Sequence, residues 1–207
     1  MIAIATPVEM TGRPVQLHGS TLARAVLRLA GWKVRCDGLP ARQGVAIVYP
    51  HTSAWDFVVG ILAKWSIGIP VTFWGKDSLF RIPLFGRWLR WIGGVPVDRH
   101  APQGIVGQMA GALRAAREEG RFLWLALAPE GTRRLGAEWR SGFYHVALQA
   151  QVPIGLVRLD YGRRELGIEH FLMLSGDVAA DTAAVTRGFG DPTGRHAELA
   201  APIRWQG

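Results

Sequence analysis

The amino-acid sequence predicts an α/β fold, a single-domain sandwich in which helices flank a central, mixed but mostly parallel sheet. Three observations support this prediction. Short β-rich runs alternate with segments of helical periodicity. The 207 residues are 49% hydrophobic and 19% charged, which suits one buried core. No linker, charge block or internal repeat divides the chain. We therefore expect an irregular N-terminal arm over residues 1–17 and one domain over residues 18–207.

The first elements are predicted from local patterns. Residues 21–30 carry apolar side chains at helical spacing, and Gly31 ends this helix. Residues 32–36 alternate between polar and apolar side chains, which is typical of a strand. Residues 45–49 form a short β-rich run, and this run is the best candidate for a central strand.

The helix after this central strand has its own start and stop signals. Ser53 is expected to cap the helix, and Asp56 stands three residues later, as in a capping box. Gly68 and Pro70 end it. The later segments continue the alternation: strands over residues 71–74, 95–97, 122–127 and 154–159, helices over residues 103–119 and 143–151, an apolar, arginine-rich segment over residues 78–92, and a hairpin arm over residues 165–174.

The charge of the chain limits its possible partners. The formal net charge is +8, and arginine supplies most of the excess. Because guanidinium groups bind phosphates and carboxylates in bidentate fashion, nucleic acid, an anionic membrane surface and a phosphorylated substrate are all possible partners. Nine tryptophans favour a membrane surface, since indole suits the lipid–water interface. The alternative is that most of these tryptophans lie in the core.

A histidine and an aspartate follow the predicted central strand, in the sequence HTSAWD that begins at His51. If the turn folds them together, Asp56 can hold one ring nitrogen of His51 and leave the other basic. The alternative is a histidine at a strand end and an aspartate that only caps the helix. The context after a strand favours a catalytic pair.

A second polar motif, APEGTR from Ala128 to Arg133, follows another buried strand. Burying such polar groups is costly unless they have partners. Gly131 permits close backbone approach, and the Arg133 guanidinium can bind a phosphate. The alternative is a turn followed by a solvated, charged loop.

A third region lies between Lys76 and Arg99. One interpretation is an amphipathic helix between two loops. The other is an acceptor site closed by Lys76 and Arg99 beside a membrane-contacting surface.

These motifs resemble those of the glycerolipid acyltransferase superfamily, typified by 1-acylglycerol-3-phosphate acyltransferases. His51 and Asp56 match its His-x-x-x-x-Asp motif. The segments 94–99, 129–133 and 152–154 match the second, third and fourth motifs, in order, within about residues 45–160. This chain differs in having Ala128 where the family has phenylalanine, and in lacking a second proline in the fourth motif.

The resemblance implies acyl transfer from an acyl thioester, either acyl-CoA or acyl-carrier protein, to a lysophospholipid hydroxyl. The favoured acceptor is the sn-2 hydroxyl of 1-acylglycerol-3-phosphate. His51 would act as the general base and Asp56 would orient it, while backbone N–H groups near His51 could hold the oxyanion. No metal or further cofactor is expected, since no His/Cys cluster has ligand spacing. The residues expected to position the acceptor are Lys76, Arg99, Glu130, Gly131, Thr132 and Arg133.

Other functions stay open at this point. A nucleic-acid-binding module is compatible with the charge, although the basic residues are dispersed and no known binding motif occurs. We therefore expect no nucleic-acid partner. A catalytically silent lipid-binding protein of the same fold is the second alternative. Within the enzyme class, the acceptor could instead be an amino-acid-headed lysolipid.

The location of the protein is predicted from what the sequence contains. Cys36 is its one cysteine, which suits a reducing compartment. The N-terminal residues show neither a basic region nor a long apolar run, so we expect no signal peptide, and no apolar run of the sequence reaches the length of a bilayer span. In residues 79–91, Phe80, Leu84, Phe85, Trp88 and Trp91 are interspersed with arginines, which is typical of a surface that lies on an anionic membrane. We expect a cytoplasmic protein, peripheral on the inner face of the cell membrane; the alternative for this segment is packing in the core.

Overall fold

A computed structural model describes residues 5–8, 15, 17–97 and 102–207. The elements alternate along the chain as the sequence predicts. The strands are β1 (Thr6–Pro7), β2 (Lys33–Arg35), β3 (Gln43–Tyr49), β4 (Thr72–Lys76), β5 (Gly94–Val97), β6 (Leu123–Leu127), β7 (Ile154–Asp160) and β8 (Glu165–Met173). The helices are α1 (Thr21–Leu29), α2 (Trp55–Ile67), α3 (Asp77–Phe80), α4 (Phe85–Trp91), α5 (Pro102–Glu118), α6 (Gly142–Ala150) and α7 (Val178–Phe189), followed by a 3-10 turn at Ala197–Leu199.

The strands form one sheet in the order β1-β8-β7-β3-β6-β4-β5, and β2 pairs with β8. Among the pairings of the described residues, five are parallel and two, β1–β8 and β7–β8, are antiparallel. The predicted mixed, mostly parallel sheet is therefore confirmed, and β3 is central in it. Because β3, β4, β5 and β6 run parallel, their carboxyl ends meet at one edge.

Both faces of β3 are buried, as expected of a parallel strand between helical layers. Val45 and Ile47 pack with buried residues of α5, α6 and α7. Ala46 and Val48 face the opposite side, where the buried residues Val59 and Ala63 of α2 lie. Four tryptophans, Trp32, Trp124, Trp139 and Trp205, are buried, so the core accounts for part of the tryptophan content.

The structure differs from the sequence prediction in four places. Thr6 and Pro7, within the arm predicted to be irregular, form β1 and pair with β8. Ala54, not Ser53, is the N-cap of α2, although Asp56 does accept the Ser53 N–H as a capping box requires. The segment 78–92 forms two short helices, separated at Pro83, instead of one element. Helix α7 was not predicted. Its signal is Asp177, which caps the helix by accepting the N–H groups of its second and third residues, Ala179 and Ala180.

Residues 165–174 do form an antiparallel arm with the preceding strand, as β8 against β7. Within the described ranges, none of the helices has both the length and the apolarity of a membrane span.

Candidate active site

His51 lies two residues beyond the carboxyl end of β3, and Asp56 lies in the first turn of α2. The turn between them brings His51 Nδ1 to 3.2 Å from Asp56 Oδ2. The Asp56 side chain is 2% exposed and that of His51 is 26% exposed. Since Nδ1 faces a carboxylate, it carries the proton, and Nε2 is left as the basic nitrogen. The predicted contact between the two side chains is therefore present.

The Asp56 carboxylate is held on both oxygens. Oδ2 also accepts the backbone N–H groups of Thr52 and Ser53, each at 2.8 Å, and Oδ1 accepts the Tyr161 hydroxyl at 2.7 Å. Burial acts to raise the pKa of Asp56, but the hydrogen bonds from His51, Ser53 and Tyr161 outweigh it and hold this pKa below its ordinary value. The carboxylate consequently stays ionised and fixes the orientation of the imidazole.

Glu130 supports the same turn from the other side. Its side chain is buried, and its Oε2 accepts the backbone N–H of His51. Oε1 accepts the N–H of Ala201 at 2.9 Å. Burial raises the pKa of Glu130, and the two N–H donors oppose this rise. The Glu130 carboxylate thus binds the backbone N–H groups of His51 and Ala201, whereas the sequence predicts that it positions the acceptor.

These contacts correct the expectation for the oxyanion. The N–H groups of His51, Thr52 and Ser53 already bind the carboxylates of Glu130 and Asp56. Because each N–H has one proton to donate, these three groups are not available to a substrate oxygen. The expectation that backbone N–H groups near His51 hold the oxyanion is therefore narrowed to donors other than these three.

The other residues predicted to position the acceptor lie on β4, in the turn after β6 and outside the described residues. Lys76 ends β4 at the same sheet edge as His51, and its side chain is exposed. Gly131 has a φ of +65°, and Thr132 Oγ1 accepts the Arg134 N–H at 3.2 Å. Arg133 is exposed. Arg99 lies outside the described residues.

An apolar cavity of about 230 Å³ opens beside the pair. Its lining includes His51 and then Asp56, Gly60, Lys64 and Ile67 of α2. Since an α-helix rises 1.5 Å per residue, the cavity follows α2 for roughly 16 Å. A Cβ atom at Gly60 would meet no atom within 4 Å, so the space next to this residue is open. The Lys64 ammonium, whose pKa is lowered by burial, donates to the carbonyls of Val71 and Ile92.

Two contributors to this site were missed at the level of sequence. One is Tyr161, the residue after β7 that donates to Asp56. The other is the segment 190–201, which contacts both motifs, as with the Ala201 N–H on Glu130. Neither belongs to one of the four sequence motifs. Their only signal in the sequence is a run of polar or glycine residues after a strand or helix.

A model of the acyltransferase family matches residues 33–158, more than half of the chain. The chain belongs to the acyltransferase family. This finding confirms the resemblance to glycerolipid acyltransferases that the four ordered motifs indicated. Tyr161 and the segment 190–201 lie beyond the matched residues.

Individual members of the acyltransferase family are similar to this chain over part of their length. A 1-acyl-sn-glycerol-3-phosphate acyltransferase of Limnanthes douglasii is 27% identical over 144 residues, which cover 67% of this chain and 49% of that protein. One from Cocos nucifera is 27% identical over 146 residues, 69% of this chain and 46% of that protein. The chain thus spans about half the length of these curated relatives. The crystal structure of the 1-acyl-sn-glycerophosphate acyltransferase PlsC of Thermotoga maritima aligns with a TM-score of 0.49 and 18% identity, covering 81% of this chain and 75% of that one.

Proposed function

We propose that this protein transfers a fatty acyl group from an acyl thioester to a hydroxyl of a lysophospholipid, with the sn-2 hydroxyl of 1-acylglycerol-3-phosphate as the favoured acceptor. The observation that carries the proposal is the His51–Asp56 pair, 3.2 Å apart, beside an apolar cavity. The names of the curated relatives support this acceptor. Acyl-CoA and acyl-carrier protein are the two candidate donors.

The geometry supports direct transfer. His51 Nε2 takes the proton of the acceptor hydroxyl as its oxygen attacks the thioester carbonyl carbon. The carbon–sulfur bond then breaks, and the thiolate leaves with the proton that the imidazolium carried. Asp56 stabilises the imidazolium in between. Cys36 is not among the residues that line the cavity, and burial raises the pKa of its thiol, so it is poorly suited to act as a nucleophile.

An acceptor screen tests this function. Purified protein is given an acyl thioester with 1-acylglycerol-3-phosphate, an amino-acid-headed lysolipid or no acceptor, and free thiol is followed. We expect thiol release only with an acceptor, and the fastest with 1-acylglycerol-3-phosphate. A faster rate with the amino-acid-headed lysolipid would assign that acceptor, and no release with any acceptor would favour a silent lipid-binding protein.

The cavity along α2 is proposed to hold the acyl chain of the donor. Because Gly60 borders open space, Gly60→Leu should fill part of the cavity with little cost to folding. We expect kcat/KM for a long acyl thioester to fall by about 10- to 100-fold, since several methylenes lose burial at ~0.8 kcal/mol each, while a short acyl thioester is used nearly as well. An equal loss for both chain lengths would place the chain elsewhere.

Arg133 is proposed to bind the acceptor phosphate. A charge-assisted, bidentate contact contributes about 1.5–3 kcal/mol, so Arg133→Ala should lower kcat/KM for 1-acylglycerol-3-phosphate by about 10- to 100-fold. The matched control is Arg134→Ala at the neighbouring exposed arginine. Unchanged acceptor kinetics in Arg133→Ala, or equal losses in both variants, would remove this assignment. Arg99→Ala follows the same design.

Membrane contact is proposed for the α3–α4 surface, which consists of the exposed apolar residues Leu79, Ile82, Leu84, Phe85, Trp88 and Trp91. Leu84 and Trp91 are three-quarters exposed. Phe80, which the sequence prediction included, is buried against Leu89 and Ile92 and is excluded. Arg87 and Arg90 lie among these residues and are exposed, so the surface combines apolar and basic groups.

Vesicle co-sedimentation tests the α3–α4 surface. Trp88→Ser/Trp91→Ser should reduce binding to phosphatidylglycerol-containing vesicles by at least about 10-fold, because two large apolar side chains lose interfacial burial. Binding should also weaken with salt, since basic residues near an anionic surface are screened. Leu22→Ser/Leu29→Ser, on the exposed face of α1, is the matched control. A loss in the control variant alone would move the membrane contact to α1.

A further inference from the structure

The segment of residues 190–201, which we call the strap, passes over the His51 turn. The Thr193 carbonyl accepts the Tyr161 N–H at 2.8 Å, and the His196 N–H donates to Thr52 Oγ1 at 3.2 Å. Gly194 approaches Thr52 so closely that a Cβ there would lie 2.9 Å from Thr52 Oγ1. Thr52 directly follows His51. The strap is therefore held on both sides of Arg195, by Tyr161 at Thr193 and by Thr52 at His196.

Arg195, between these fixed points, has its guanidinium over two aromatic rings. The Arg195 Cζ atom is 5.7 Å from the ring centre of Trp55 and 5.9 Å from that of Tyr161. Trp55 precedes Asp56 in the chain, and Tyr161 donates to the Asp56 carboxylate. Stacking on aromatic rings holds a guanidinium in place while its N–H groups stay free to bind in the plane.

None of the ion pairs formed by the described residues includes Arg195. Its side chain is exposed. Burial and the hydrogen bond to Asp56 raise the pKa of the Tyr161 hydroxyl, and the charge of Arg195 opposes that rise. A positioned cation without a carboxylate partner, beside a catalytic turn, has the properties of an anion-binding group.

We propose that Arg195 binds a phosphate ester group of one of the two substrates beside the His51 turn. The proposal rests on the proposed function for the identity of these substrates. The phosphate could belong to the acceptor headgroup or to the pantetheine-linked donor, and both present the same chemistry to a guanidinium. Arg195 lies on the side of the His51 turn that the strap covers and is separate from the motif residue Arg133.

Steady-state kinetics with two donors test the proposal. Acyl-CoA carries phosphates, whereas the acyl thioester of N-acetylcysteamine carries none. Arg195→Ala should raise KM for the phosphate-bearing substrate by about 10-fold, the lower end expected for an exposed bidentate contact, and leave kcat nearly unchanged. Arg195→Lys should lose less. Arg187→Ala, at an exposed arginine of α7, is the matched control and should have no effect.

The pattern of KM values identifies the phosphate. A rise in acceptor KM with both donors assigns it to the acceptor, and a rise in donor KM for acyl-CoA alone assigns it to the donor; either supports the site. Unchanged KM values overturn it. A fall in kcat together with a shift in the acidic limb of the pH–rate profile also overturns the phosphate site. This is the result expected of Tyr161→Phe, and it would mean that Arg195 acts only through Tyr161 and Asp56.

Equilibrium binding separates this proposal from the proposed function. Calorimetry with coenzyme A and with glycerol 3-phosphate needs no turnover and is carried out on wild type and Arg195→Ala. If wild type binds either ligand about 10-fold more tightly than Arg195→Ala, the anion site stands even where acyl transfer fails. If wild type and Arg195→Ala bind both ligands equally while acyl transfer proceeds, the anion site is contradicted and the proposed function is not.

Discussion

Replacing His51 by alanine is expected to reduce acyl transfer by at least about 10²-fold, the usual range for loss of a general base. The expectation follows from His51 Nε2, which is left as the basic nitrogen while Nδ1 is held 3.2 Å from Asp56 Oδ2. Thiol release from an acyl thioester in the presence of acceptor is the measurement. Because His51 is partly exposed and Glu130 binds its backbone N–H, the variant should remain folded.

The matched control for this change is His170→Ala, at an exposed histidine of β8. It should leave turnover unchanged. Near-normal thiol release by a folded His51→Ala protein would contradict the proposed mechanism, and equal losses in both variants would point to a general effect of removing an imidazole.

Asp56→Asn should impair both catalysis and folding. The carboxylate accepts hydrogen bonds from His51, Thr52, Ser53 and Tyr161. The asparagine amide has only one acceptor oxygen, and its NH2 group is a donor. On one side of the asparagine side chain, the NH2 group then faces an N–H or O–H donor that the carboxylate had accepted. We expect turnover to fall by about 10²-fold or more through misorientation of His51, and unfolding free energy to fall by about 3–5 kcal/mol, the cost of breaking a buried charged network.

The pH dependence of stability supplies a second readout for Asp56. Its folded-state pKa lies below the ordinary value of 3.8, so its contribution to stability is present above that value and is lost as pH falls through the folded-state pKa. The stability difference between wild type and Asp56→Asn should therefore be largest near neutral pH and narrow in acid. Urea denaturation of both proteins, at neutral pH and at acidic pH, measures this stability difference. A difference independent of pH would show that the ionised carboxylate is not the stabilising group.

What the sequence predicts well is what depends on neighbours along the chain. The contact between His51 and Asp56 needs only a strand end, a turn and the first turn of a helix, all within the eight residues from Tyr49 to Asp56. The central position of β3 follows from apolar residues on both of its faces. The parallel sheet edge that collects the motifs follows from the alternation of strands and helices.

What the sequence does not predict depends on distant partners. A glutamate after a buried strand is compatible with facing either a substrate or the interior, and the choice at Glu130 depends on the His51 N–H, 79 residues earlier, and on Ala201, 71 residues later. Tyr161 reaches Asp56 only because β7 pairs beside β3. Similarly, Pro83 interrupts the periodicity of residues 78–92, so the inward direction of Phe80 was not visible.

The shared carboxylate of Glu130 has a consequence for the order in which the protein matures. A ribosome delivers the N-terminal part of a domain first, so His51 and Asp56 emerge long before residue 201. Until then one Glu130 oxygen lacks its Ala201 donor, and the His51 turn lacks the strap that crosses it. We infer that the nascent chain acquires catalytic competence late, after the sheet is complete, so that a partly synthesised protein carries the motifs of the family without yet holding them in working geometry.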